Sequence, residues 1–102
     1  MSLKKKYLGS KNVCKVTFKL QKEAAAGAHS VNIVGDFNDW DRNAHPMKRL
    51  KNGDYTVTID LEPGRAYEFK YLVDGEKWEN DWSADRYNPT QHPYIDNSVV
   101  EV

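Results

Sequence analysis

At 102 residues the chain is long enough for one domain with its own core and too short for two. Its 15 basic residues are cancelled by 15 acidic ones, which argues against a nucleic-acid partner, since that would need a basic face. Cys14 is the only cysteine, so no internal disulfide forms; with no export-type apolar run, the expected location is a reducing cytoplasm.

The run Lys4-Lys5-Lys6 predicts a solvated start. Residues 1–11 are expected to be a flexible arm that Tyr7 and Leu8 tie down, followed by one β-sandwich domain over 12–102. A membrane partner is not expected, because no apolar segment is long enough to span and neither a larger cationic cluster nor a lipidation signal is present. From Cys14 to Leu20 apolar and polar residues alternate, with Cys14, Val16, Phe18 and Leu20 inward, which predicts a half-buried strand and an inert thiol. Ala24 to Ala28 has helical propensity but is too short to stand as a helix and reads as a connection.

Val31 to Val34 is β-branched and predicts a buried strand that Gly35 ends. The turn that follows, Asp36-Phe37-Asn38-Asp39-Trp40, is held by its Asp and Asn side chains. Phe37 is expected to plug the end of the core. Trp40 either stays at the surface, where it implies a ligand, or packs on a neighbouring loop.

Met47 to Leu50 predicts a short extended piece, and Asn52-Gly53 a hairpin into Tyr55, Val57, Ile59 and Leu61. Pro63-Gly64 turns the chain into Arg65 to Val73, with Tyr67, Phe69, Tyr71 and Val73 inward and Glu68, Lys70 and Leu72 outward. Asp74-Gly75 predicts a second hairpin, whose return segment carries Trp78. Residues 79–97 read as one long loop, and Ser98 to Val102 as a closing strand. About seven short strands and no helix predict an all-β fold, an antiparallel β-sandwich of immunoglobulin-like form.

Catalytic and metal chemistry are not expected. Asp36 to Asp41 lacks the glycine and closing glutamate of a calcium loop. His29, His45 and His92 lie in separate loops without ligand spacing, so no cofactor is implied. Asp81 and Asp85 read as turn-holding carboxylates rather than a catalytic pair. The chain is read as a non-enzyme.

The order Gly-Asp-Phe-Asn-Asp-Trp (35–40), an Asn-Gly hairpin, Tyr-Glu-Phe-Lys-Tyr-Leu-Val-Asp-Gly (67–75) and Trp78 resembles one family. It is similar, over about residues 12–102, to the early-set glycogen-binding module of the AMP-activated protein kinase β subunit and to the modules that precede the barrel in isoamylases and branching enzymes (carbohydrate-binding module family 48). The resemblance implies non-catalytic binding of α-1,4-glucan, whether glycogen, starch or maltooligosaccharides. Trp40 and Trp78 would stack on sugar rings. Lys70 would bond hydroxyls, as would Asp96, at the family's asparagine position, with Asn97 beside it. Three departures stand out: an extra residue before Trp78, Asp96 in place of an amide, and no counterpart to the family's leucine and threonine contacts in residues 91–94. Trp82 and Tyr87 have no place in the pattern and are expected either to pack in the core and loops or to line the groove. The alternative is an interaction or regulatory module that docks on a glucan-metabolising enzyme, its sugar site vestigial.

Overall fold

The computed structural model describes residues 3–90 and 95–102. All its strand pairs are antiparallel, and they form two sheets. The first sheet has the order β1 (Leu3–Leu8), β2 (Val13–Leu20), β5 (Tyr55–Leu61), β4 (Lys48–Arg49). The second has the order β3 (Val31–Gly35), β6 (Ala66–Val73), β9 (Asp96–Glu101), β8 (Arg86–Pro89), and β7 (Lys77–Glu79) also pairs with β6. Among the described residues there is no α-helix, only a 3-10 turn over Asp36–Asn38. Among the described residues no helix is long and apolar enough to cross a membrane.

The inward parity of β2, β5 and β6 builds the core. Cys14, Val16, Phe18 and Leu20 are buried, as are Ile59, Phe69 and Tyr71, while Val57 packs against them half-buried. Aromatic rings tie the two sheets together. Phe69 of β6 meets Phe18 of β2 edge-on across the two sheets at 5.0 Å, and it meets Tyr71, on its own strand, at 5.7 Å. Pairs of this kind add about 0.5–1.5 kcal/mol beyond the area they bury.

The architecture departs from the sequence reading in two strands. The stretch expected as an arm holds β1, which pairs with β2 from Leu3↔Phe18 to Leu8↔Val13. Leu3 is buried, Lys4 and Lys6 lie on the outer face of the sheet, and Lys5 reaches Asp85 at 2.6 Å. A lysine-rich strand is at home at a sheet edge, where charge discourages pairing with another chain. The stretch expected as a long loop contains β8, another edge strand, which ends on Pro89. Proline is tolerated there because no neighbour needs its missing N–H.

A second apolar layer lies outside the core. Val34, Leu72 and Val99 are buried yet belong to the outward parity of the second sheet. Leu72 was expected to face out, and it does, yet it is buried, with Trp78 of β7 as its cross-strand neighbour. That covered outer face is where the candidate residues gather.

Candidate functional site

The Gly-Asp-Phe-Asn-Asp-Trp turn is specified residue by residue. A Cβ at Gly35 would lie 2.5 Å from the Glu68 carbonyl oxygen and 2.8 Å from the Phe69 Cβ, so only glycine lets β3 end this close to β6. Phe37 turns inward as expected, 5.7 Å from Phe18 and 6.2 Å from Tyr67. The Asn38 side chain accepts from the Gly35 N–H (3.0 Å) and donates to the Ile33 carbonyl (3.1 Å), locking the turn onto its own strand. Asp39 and Trp40 then take left-handed backbone angles, with φ of 55° and 58°. Each such angle costs a non-glycine residue about 1–2 kcal/mol. The bond from the Trp40 N–H to the Gly35 carbonyl, at 2.9 Å, helps to hold it.

Asp36 aims the indole. One carboxylate oxygen accepts from Trp40 Nε1 (3.0 Å), and the other accepts from the Glu68 backbone N–H (2.8 Å). Trp40 is half-buried, with its ring over the outer face of the second sheet.

The second wall comes from the β6–β7 hairpin. Asp74 and Gly75 both have positive φ, 54° and 70°, and with Glu76 they make a three-residue connection. This absorbs the extra residue noted in the sequence: Trp78 pairs with Leu72 and so falls on the same face as Lys70. The Asp74 carboxylate accepts from the backbone N–H groups of Ser30 and His29, which hold its pKa below the ordinary value of 3.8. Trp78 is 39% exposed. The Arg42 guanidinium, on the loop that carries Trp40, stands 5.4 Å from its ring centroid.

Lys70 sits at a fork. On one side β6 pairs with β3, where Lys70 faces Val34. On the other, the ladder to β9 ends at Phe69↔Ser98 and that to β7 begins at Tyr71↔Glu79. The gap between β9 and β7 is a groove of about 540 Å3. Desolvation there pulls the Lys70 ammonium below the usual lysine range, against the opposing pull of Asp96 and Glu79. Its Nζ donates to Asn80 Oδ1 at 3.2 Å. Asp96 opens β9 and is exposed; Asn97 is half-buried and donates to Glu68 Oε1 at 3.0 Å.

The groove thus collects Trp40, Lys70, Trp78, Asp96 and Asn97, which come from well-separated parts of the chain. Asn80, Thr90 and Ile95 also line it, and the sequence reading missed them. The signal for Asn80 was its i, i+2 spacing from Trp78, which continues one face. Thr90 and Ile95 flank residues 91–94, which lie outside the described residues, as does His92. Trp82 and Tyr87 do not line the groove. Trp82 is 55% exposed, and the Tyr87 hydroxyl donates to the Asp81 carbonyl. Asp81 is a turn-holder, accepting from the Ser83 N–H and, at 2.6 Å, from the Tyr71 hydroxyl in the core. Among the described residues no cluster of His, Cys, Asp and Glu could hold a metal ion.

Comparison with known proteins identifies the family. Residues 11–99 match the family model described as the glycogen recognition site of AMP-activated protein kinase. The chain is 45% identical over 80 residues to the 1,4-alpha-glucan branching enzyme GlgB of Photobacterium profundum, covering 76% of this chain and 11% of that enzyme. It is 42% identical over 66 residues to the same enzyme of Butyrivibrio fibrisolvens, covering 62% and 10%. It is 32% identical over 75 residues to the chloroplastic protein PTST homolog 2 of Arabidopsis thaliana, covering 72% and 13%. The chain therefore spans about a tenth of the length of these relatives. The family match covers most of the chain and contains every described residue of the groove, and the chain belongs to this glycogen-recognition family of carbohydrate-binding modules.

Proposed function

We propose that the groove binds a run of α-1,4-linked glucose, as in glycogen, starch or a maltooligosaccharide, without chemical change to it. The observation that carries this reading is the convergence of two indoles, an ammonium, a carboxylate and an amide on one open groove. A pyranose has an apolar C–H face and a rim of hydroxyls. The rings of Trp40 and Trp78 suit the face; Lys70, Asp96 and Asn97 suit the rim. A volume of about 540 Å3 falls within the roughly 300–1,000 Å3 typical of small-ligand sites.

Each indole covering roughly 80–100 Å2 of apolar sugar surface contributes about 2 kcal/mol. Hydrogen bonds to hydroxyls add about 1 kcal/mol each, and ordering the oligosaccharide removes several. The balance of about 4–7 kcal/mol sets a dissociation constant between roughly 10 μM and 1 mM. Calorimetry with maltoheptaose and β-cyclodextrin tests the reading. Saturable heat, nearly independent of salt because the sugar is neutral, is the expected result. No heat at about 5 mM sugar, above that affinity range, refutes it.

Because the relatives that share this stretch include branching enzymes, the module is further proposed to serve a glucan-metabolising enzyme, within the same polypeptide or as its partner, in the cytoplasm. The competing reading, a docking module with a vestigial sugar site, asks for an exposed apolar patch of several hundred Å2 or an unpaired edge strand. Of the sheet edges, that of β3 is occupied by the segment 45–47, through Ile33 N–H to the His45 carbonyl (3.1 Å) and Met47 N–H to the Val31 carbonyl (2.8 Å), while β1 carries lysines and β8 ends on proline, both of which discourage pairing with another chain.

A further inference from the structure

We propose that Asn80 is the positioning residue of the groove: its amide sets the direction of the Lys70 ammonium and clamps the start of β9 across the fork. The inference rests on the glucan-binding reading for its consequence and on the geometry alone for its mechanism.

The orientation of the Asn80 amide follows from its neighbours. Ser98 is fully buried, and its Oγ accepts the Asp81 backbone N–H at 2.8 Å. The hydroxyl proton of Ser98 is then directed to Asn80 Oδ1, also at 2.8 Å. The same Oδ1 accepts from Lys70 Nζ at 3.2 Å, and Nδ2 donates to the Asp96 carbonyl at 2.9 Å. A flipped amide would point its NH2 at the ammonium and its oxygen at the carbonyl, repulsive on both sides. One orientation survives.

The clamp is anchored from below. Asp81, next in the chain, accepts from the Tyr71 hydroxyl, and Tyr71 is a core residue. A continuous hydrogen-bonded path therefore runs from the inter-sheet core through Asp81 and Ser98 to Asn80, and out to the Lys70 ammonium and the Asp96 backbone carbonyl. No backbone ladder holds β7 to β9, so the Asn80 amide spans the fork in its place. Lys70 is thereby fixed with its remaining N–H bonds aimed at the space a sugar hydroxyl would occupy, and its rotamer entropy is lost before binding rather than during it.

The test is a double-mutant cycle, by calorimetry with maltoheptaose, on the full chain. Asn80→Ala is expected to weaken binding about tenfold when Lys70 is present and less than about threefold in a Lys70→Met background. Equal factors in both backgrounds overturn the proposal, since a residue that only supports the fold acts regardless of Lys70. The second readout needs no sugar. In the free protein the two ε-methylene protons of Lys70 are expected to resonate at distinct shifts by NMR and to merge in Asn80→Ala. Merged shifts in the wild type, or split shifts that persist in the variant, overturn the proposal. A wild type that gives no heat with sugar but shows the merging in Asn80→Ala would sink the glucan reading and leave the clamp standing. Should Asn80→Ala fail to fold, Asn80→Asp carries the test. It keeps an oxygen for Lys70 and Ser98 but turns its second oxygen on the Asp96 carbonyl. The split shifts should persist while sugar binding falls; unchanged binding overturns the clamp across the fork.

Discussion

Replacing Trp78 by alanine separates a binding role from a folding role. The residue lies in a three-residue strand at the margin of the second sheet and is 39% exposed, so little of its surface belongs to the core. The Arg42 guanidinium stands 5.4 Å from its ring centroid, and such a contact at an exposed site is worth about 0.5–1 kcal/mol. With the burial lost against Leu72, the substitution should cost about 1–2 kcal/mol of stability, well below the roughly 3–5 kcal/mol of a fully buried tryptophan. The loss to binding is larger in proportion. An indole covering roughly 80–100 Å2 of apolar sugar surface supplies about 2 kcal/mol, so Kd should rise about thirtyfold. Calorimetry with maltoheptaose, run beside urea unfolding of the same preparation, reads both quantities. A Kd within about threefold of wild type would mean the ring does not stack on sugar. Loss of binding together with loss of the cooperative unfolding transition would assign Trp78 to the fold instead.

Asp36→Ala frees the Trp40 indole and leaves the Glu68 N–H without its acceptor; sugar binding should weaken about tenfold, with roughly 1–2 kcal/mol lost in urea unfolding. Gly35→Ala forces a Cβ to within 2.5 Å of a backbone oxygen, and chemical denaturation should show a loss of about 2 kcal/mol or more. Asp74 has its pKa lowered in the folded state, so its contribution is present above the ordinary value of 3.8 and lost as pH falls below that through the folded value; the acid limb of stability against pH should be shallower in Asp74→Asn. Cys14 is buried and unpaired with any disulfide partner, so a thiol reagent should label it only at the rate of unfolding, and rapid labelling of the native protein would contradict its placement.

Strands sandwiched between core and solvent were legible, because alternation is imposed wherever one face is buried and the other wet. That is why Cys14 to Leu20 and Tyr55 to Leu61 could be read with their faces. Parity does not report whether an outward side chain is covered, so the burial of Val34 and Leu72 was hidden. The strand β1 was missed because three consecutive lysines look solvated whether or not their backbone is paired, and β8 because an edge strand of Arg86, Tyr87, Asn88 and Pro89 has no apolar face to show. At the site, Trp40, Lys70 and Trp78 were readable from motif and parity. Asn80 and Arg42 were not singled out, since their partners, Asp96 and Trp78, lie 16 and 36 positions away along the chain.

The fork in the second sheet bears on how such a module can diversify. Groove and core draw on opposite side-chain parities of the same strand: Lys70 belongs to one, Phe69 and Tyr71 to the other. Substitutions in the groove therefore drift without disturbing the interlocked rings that hold the sheets together. Ligand preference can wander across a lineage while the scaffold stays under its own, separate selection. The exception is Asn80, which is wired through Ser98 and Asp81 to Tyr71, and which should be the groove position most resistant to change.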